Sequence, residues 1–323
     1  MPINNNLEKV KFPMPIRFGE KQKTEFKNNI EAIKVSLVQA PTMEELRKYI
    51  PDFTTATWED NAMHNKYLDD KQKDKLIYMA FMGKLLPSAL ETIKLQFCFE
   101  NVSYQDLSHI LRYRTGTYSV ECSADKWWNN KNAVVPTSIE NSDEIYEEFK
   151  DLVIKTKELY VKMLDTKKIS LIDARYILPR CMETYVWASF SLKDILHLID
   201  HRIDKQIQPD SDNVLAYKII EELLKYYPLL VNKIDIHKPS YFYVHTARTG
   251  RCTNLFMPDK DSDIYEYNEE DYVYGTTRDN VNGTNENCIN KFKPIFERCE
   301  NVIKETKQKM LEEYGEDFFK LEL

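Results

Sequence analysis

Glycine is scarce in this chain. Its 323 residues include seven, and none falls into GxGxxG or GxxxxGK[ST]. A dinucleotide-binding turn and a P-loop, both of which cradle phosphate with backbone N–H groups, are therefore excluded. Cysteine is equally sparse: Cys98, Cys122, Cys181, Cys252, Cys288 and Cys299 are scattered, with no CxxC pair. That pattern argues against a disulfide scaffold or zinc ribbon and fits a reducing cytoplasm. HExxH is absent, and His237, His245 and Cys252 stand too far apart to read as a metal centre. No stretch is long and apolar enough to cross a bilayer, and Met1–Asn6 carry no apolar run of the kind a secretory leader needs. Positive charge is also in deficit. Lys and Arg total 45 against 52 Asp and Glu, a net charge of −7, which argues against bulk binding to nucleic acid or an anionic membrane. Any anion this chain binds is bound locally.

What is present is enough for a sizeable core, with 42% hydrophobic and 12% aromatic residues. Residues 1 to about 32 are polar and Lys/Asn-rich and read as an arm. Ile33–Val38 alternates as a strand, Met43–Ile50 reads as a short helix, and Gln72–Leu86 as a helix stopped by Pro87. Ile93, Leu95, Phe97 and Phe99 alternate with Lys94, Gln96, Cys98 and Glu100, the pattern of a strand with one buried face. Ser103–Asp106 reads as a capping box for a helix carrying Leu107, Ile110 and Leu111. Ile145–Leu164 is amphipathic, Thr184–Phe190 reads as a strand, and Ser191–Asp194 caps a helix with Leu192, Ile195, Leu196 and Ile199 as its stripe. Asn213–Tyr227 and Ile289–Tyr314 supply further helices, the last carrying Pro294. Helices and strands mix without regular βαβ alternation, so the expected class is α+β. The expected division is an arm at 1–32, a catalytic domain at 33–234 and an extension at 235–323 that is Tyr-rich and acidic up to Cys288.

Arginine carries the chemistry. Its planar, permanently charged fork matches phosphate and carboxylate. His109 and Arg112 lie three apart on one helix, and Arg114 falls seven after Leu107, continuing the apolar stripe. These arginines can serve two anionic groups or pair with acidic neighbours; spacing leaves both open. Thr115–Ser119 reads as a polar connection, with Glu121 and Ser123 adding an acceptor and a donor. Arg175 stands near a helix end. Arg202 flanks the stripe of Ile195 and Ile199, where a charge must find a partner or a ligand.

Taken in order, these segments resemble the flavin-dependent thymidylate synthases, the ThyX family. Thr92–Phe99 is similar to the family's Phe-rich strand, Leu111–Ser123 to its RHRxxSxNExSxRY motif, and Ala174–Pro179 to its ARxxLP segment. Leu198–Arg202 is similar to the helix that ends in a pyrimidine-binding arginine. The likeness spans roughly residues 33–232. It implies a mostly antiparallel central sheet flanked by helices, with a C-terminal extension outside the likeness. It also implies reductive methylation of dUMP to dTMP, with FAD as redox carrier, methylenetetrahydrofolate as carbon donor and NADPH as reductant, and no cysteine nucleophile. A homotetramer with active sites shared between subunits is implied as well. By position, Arg202 would polarise the uracil, and His109, Arg112, Glu121, Ser123 and Arg175 would bind the nucleotide. Ser88, Glu91, Arg112, Arg114, Lys193 and Gln206 would contact the flavin. The chain departs from the pattern with Tyr113 for the middle His of the motif, a loop one residue longer, Ser191 for an Asn, Lys193 for an Arg and Gln206 for a His. Most departures fall on the flavin side. The alternatives are an enzyme acting at C5 of a related pyrimidine nucleotide, or a non-catalytic nucleotide-binding homologue.

Overall fold

A computed structural model describes residues 24–122, 128, 131–140, 142–203, 210–236 and 284–321. In chain order the elements are β1 (Phe26–Asn28), α1 (Asn29–Ala32), β2 (Lys34–Gln39), α2 (Met43–Arg47), α3 (Ile50–Thr55), α4 (Asp70–Phe81) and α5 (Ala89–Thr92). Then come β3 (Lys94–Ser103), α6 (Tyr104–Ile110), β4 (Thr117–Val120), β5 (Ala133–Val135), α7 (Thr137–Glu140), α8 (Asp143–Asp165) and α9 (Leu171–Ala174). β6 (Glu183–Ser191), α10 (Leu192–Arg202), α11 (Asp210–Tyr226) and α12 (Thr284–Tyr314) complete the order.

Four strands form one antiparallel sheet in the order β2-β3-β6-β4, while β1 and β5 make a separate parallel pair. The architecture is α+β, as the element order predicts. Leu95, Phe97 and Phe99 of β3 are buried with Val186, Ala188 and Phe190 of β6, in one core shared with α4, α10, α11 and α12. The opposite face keeps Lys94, Gln96 and Glu100 exposed. After Phe99 the register against β6 shifts before Val102. Asn101 takes a left-handed φ of 55° there and donates from Nδ2 to the Ala32 carbonyl at 3.0 Å; Asn tolerates that conformation better than most residues. The bulge brings Val102 and Ser103 inward, so β3 ends on the residue that caps α6.

Two serines launch the helices that matter. Ser103 Oγ accepts from the Asp106 N–H, Ser191 Oγ accepts from the Asp194 N–H, each at 3.1 Å, and both capping boxes are complete. Each such cap stabilises its helix by about 1 kcal/mol. Each also fixes where its helix leaves the sheet.

Some expectations are corrected. α4 stops at Phe81, not Leu86, because Gly83 at φ 73° ends the helix in the left-handed region. Thr117–Val120, expected as part of a loop, forms the edge strand β4 against β6. On α10 the fourth buried stripe residue is Leu198, with Leu196 half-buried. The described end of the N-terminal stretch is built in: Phe26–Asn28 pair with Ala133–Val135, and buried Asn29 donates to Ser211 Oγ at 3.0 Å.

The Tyr-rich acidic stretch lies outside the described residues between 237 and 283. Beyond it, α12 runs through Pro294 and returns along α11, burying Ile295, Cys299, Ile303 and Met310. Arg298 forks onto Glu221 at 2.8 and 2.7 Å. At its end Tyr314 donates to Asp74 at 2.9 Å, a buried carboxylate also held by the Arg47 fork at 2.7 and 2.7 Å. Phe318 closes over Tyr314 and Tyr78, with ring centroids 4.3 and 5.7 Å away. Among the described residues no helix is long and apolar enough to cross a membrane.

Candidate functional site

Three helix ends converge beside the sheet. α6 presents Gln105 and His109, the last turn of α10 presents Arg202, and the first turn of α11 presents Asp212. The Asp212 side chain has no solvent exposure. Its oxygens lie 3.1 and 2.9 Å from His109 Nδ1, and Oδ2 accepts from Arg202 Nη1 at 3.1 Å. Both helix dipoles favour this placement, with a carboxylate at a helix start and a guanidinium at a helix end. Asn213 Nδ2 donates to the Arg202 carbonyl at 2.7 Å, capping α10 with a side chain from α11. The Tyr113 ring lies 6.0 Å from the Arg202 guanidinium carbon. Packing is tight: only about 10 Å³ of space remains among residues that include His109, Tyr113, Arg202 and Asp212.

Along the neighbouring Tyr104–Ser108 edge of α6 lies a cleft of about 360 Å³, lined also by Arg175, Tyr176, Leu178, Pro179 and Arg180. Arg180 Nη1 donates to Gln105 Oε1 at 2.9 Å, and the Gln105 N–H donates to the Arg180 carbonyl at 3.2 Å. Gln105 Nε2 lies 3.2 Å from His109 Nε2. A continuous hydrogen-bond chain therefore runs from the cleft through Gln105, His109 and Asp212 to Arg202.

Buried groups around this chain are shifted. Burial drives the His201 imidazole down to about 4, helped by His197 and Arg202, so it adds no charge beside Arg202 near neutrality. Burial pushes the Tyr113 hydroxyl up to about 12 against the pull of the Arg202 guanidinium. It also lifts the Asp106 carboxyl to about 6, opposed by hydrogen bonds from Ser103.

The sequence-predicted residues scatter around this centre. His109 and Arg202 meet through Asp212, and Arg175 lines the cleft. Arg112 and Arg114 are exposed on the turn after α6. The expectation that Arg114 continues the apolar stripe is corrected, because α6 ends at Ile110 and Leu111 caps it. The turn is pinned by Tyr118, whose hydroxyl donates to the Ile110 carbonyl at 3.2 Å and to the Tyr113 carbonyl. A Cβ at Gly116 would stand 2.5 Å from that hydroxyl oxygen and 2.8 Å from the Phe190 ring, so only glycine fits the approach. Glu121 is buried and takes Lys131 Nζ at 2.8 Å and Thr184 Oγ1 at 3.4 Å. Glu91 and Lys193 are paired with each other at 2.5 Å, both half-exposed, and Ser88 is exposed at the start of α5. Ser123 and Gln206 lie outside the described residues.

Sequence reasoning missed Asp212, Gln105 and Arg180. Part of the signal for Asp212 was available: an arginine flanking an apolar stripe must find a partner or a ligand, although the spacing does not say that the partner is Asp212, at the start of the next helical pattern. Among the described residues no group of three or more His, Cys, Asp or Glu is placed to hold a metal ion.

The profile of the thymidylate synthase complementing protein family matches residues 32–229. A flavin-dependent thymidylate synthase from Pyrococcus furiosus is 27% identical over 142 residues, covering 43% of this chain and 57% of its own. One from Clostridium tetani is 23% identical over 183 residues, covering 51% and 72%. The chain thus spans little more than half the length of its archaeal relative. Among solved structures, a UMP/dUMP methylase from Streptomyces cacaoi, bound with 5-Br dUMP, superposes with a TM-score of 0.54 at 15% identity. It covers 64% of this chain and 94% of that one, a likeness of fold.

Proposed function

The chain belongs to the thymidylate synthase complementing protein family, and from that premise we propose that it methylates C5 of a pyrimidine nucleotide, with dUMP as substrate. The observation that carries this reading is the Asp212-held Arg202, joined by hydrogen bonds to a cleft with two arginines. In this reading Arg175 and Arg180 take the phosphate, which suits their forks. Tyr176 and Tyr104 offer ring faces to the sugar and base.

Arg202 supplies the positive charge. A guanidinium beside a uracil carbonyl stabilises the negative charge that develops on oxygen as the ring becomes reactive, without a covalent cysteine adduct. His109 and Asp212 hold that guanidinium in place. Arg112 binds where nucleotide and cofactor meet. Glu121 and Ser123 contact the nucleotide, with Lys131 offsetting the buried Glu121 charge.

The cofactor in this reading is FAD, with methylenetetrahydrofolate as carbon donor and NADPH as reductant. Bound FAD, reduced by NADPH, would supply the two electrons needed to turn the transferred methylene into a methyl group. The donor set fits its diphosphate, since Arg112 and Arg114 are exposed cations on a turn fixed by Tyr118. Ser88, Glu91, Lys193 and Gln206 would complete the flavin contacts. Assembly as a homotetramer in the cytoplasm accompanies this reading.

One observation favours a second reading. Glu91 and Lys193 neutralise each other at 2.5 Å, which fits a weakened flavin contact and a protein that binds the nucleotide without turning it over. Mass analysis of nucleotide incubated with the purified protein, FAD, methylenetetrahydrofolate and NADPH separates the two. A product heavier than dUMP by one CH₂, as a methyl replaces the C5 hydrogen, supports methylation. Nucleotide recovered unchanged by a protein that binds it supports the second reading.

A further inference from the structure

We propose that Asp212 is a positioning residue that sets Arg202 and His109 together and links both to the arginine-lined cleft. The inference rests on reading that cleft as the nucleotide site. Asp212 carries no solvent exposure and lies at 2.9 Å from His109 Nδ1 and 3.1 Å from Arg202 Nη1. A buried carboxylate is costly to desolvate, and removing either partner leaves charge stranded. Such an arrangement is weak evidence for stability, since well-packed apolar side chains can do as well. What it does provide is orientation, because two donors on separate helices are fixed against one planar acceptor.

Gln105 decides which way the chain of hydrogen bonds runs. Its Oε1 accepts from Arg180 Nη1 at 2.9 Å, so its NH₂ group faces His109 Nε2 at 3.2 Å. His109 Nε2 is then the acceptor, and the ring proton sits on Nδ1, donated to Asp212. The Gln105 N–H also donates to the Arg180 carbonyl at 3.2 Å, so side chain and backbone hold Arg180 at the cleft wall. An anion that draws the Arg180 guanidinium toward itself withdraws that donor from Gln105. The change passes through His109 to the carboxylate that orients Arg202. Occupancy of the cleft is thereby coupled to the group that polarises the base.

Three measurements test this on the full chain. Ring nitrogen chemical shifts of His109 in the unliganded protein should place the proton on Nδ1; a proton on Nε2 overturns the proposal whatever the activity. Asp212→Asn preserves shape while removing charge, and its kcat should fall by about 10-fold or more, the effect of weakening a hydrogen bond to a charged group. The KM for dUMP should change much less. Gln105→Leu, on the half-buried surface of α6, should lower kcat in the same direction and serves if Asp212→Asn fails to fold. Wild-type kcat in a folded Asp212→Asn or Gln105→Leu protein overturns the positioning role. If calorimetry instead finds no dUMP affinity in a wild-type chain with the Nδ1 proton, the nucleotide reading fails and the assigned hydrogen-bond chain stands.

Discussion

Replacing Arg202 with lysine keeps the charge and removes the fork. In the native arrangement Nη1 reaches Asp212 Oδ2 at 3.1 Å, and the guanidinium lies 6.0 Å from the centroid of the Tyr113 ring. A lysine ammonium can keep Asp212 or reach toward a bound base, but one point charge cannot hold both in fixed geometry. Losing one hydrogen bond to a charged group costs about 1.5–3 kcal/mol. That corresponds to roughly a 10- to 150-fold fall in kcat/KM. Alanine is a poorer probe, because it leaves Asp212 buried without its arginine, a change worth about 3–5 kcal/mol of stability. The assay is tritium release from 5-tritiated dUMP over a range of nucleotide concentrations, after a thermal melt shows the variant folded. Most of the loss should fall on kcat, since Arg175 and Arg180, proposed to take the phosphate, are untouched. An Arg202→Lys protein with wild-type kcat would refute the role given to the fork.

Arg175→Ala and Arg180→Ala should each weaken dUMP binding by about 1.5–3 kcal/mol, read by calorimetry; unchanged affinity in both would remove the phosphate from this cleft. His201 has its folded value depressed to about 4 from 6.5. The folded chain therefore binds fewer protons than the unfolded chain in that window, and His201 lowers stability as pH falls through it. His201→Asn should flatten the stability profile between those values by about 1–2 kcal/mol, after allowing for partial exposure; parallel wild-type and variant profiles would show the imidazole titrates normally. Phe318 is 6% exposed, and Phe318→Ala should cost about 3–5 kcal/mol in denaturant unfolding. A loss below about 1 kcal/mol, the size of ordinary surface changes, would mean that the C-terminal end is not docked on α4 in solution.

The parts legible in the sequence share one physical character: they are local. β3 announced itself by alternation, and Ser103 and Ser191 announced two helix starts because capping is a relation between residues three apart. The demand for a partner at Arg202 was legible for the same reason, since its place beside Ile195 and Ile199 could be counted along one helix. The identity of that partner was not. Asp212 stands ten residues on in another helix, and nothing in spacing says that α11 begins against the end of α10. Gln105 and Arg180 are 75 residues apart, joined because β3 and β6 are adjacent in the sheet. β4 was hidden by its composition, as Thr117 and Ser119 are polar edge-strand residues whose pairing with β6 supplies the order. Glu91 and Lys193 looked like separate ligand contacts until the fold set them 2.5 Å apart.

The proposed reaction is carbon transfer to C5 of a pyrimidine nucleotide. It is tested most directly by supplying the purified protein with FAD, NADPH, dUMP and methylenetetrahydrofolate labelled with carbon-13 in its methylene group, and reading the nucleotide by NMR. A labelled methyl group on C5 of the uracil ring is expected from the wild-type protein, greatly reduced in Arg202→Lys. Label that never leaves the folate, with dUMP bound and recovered unaltered, would contradict it.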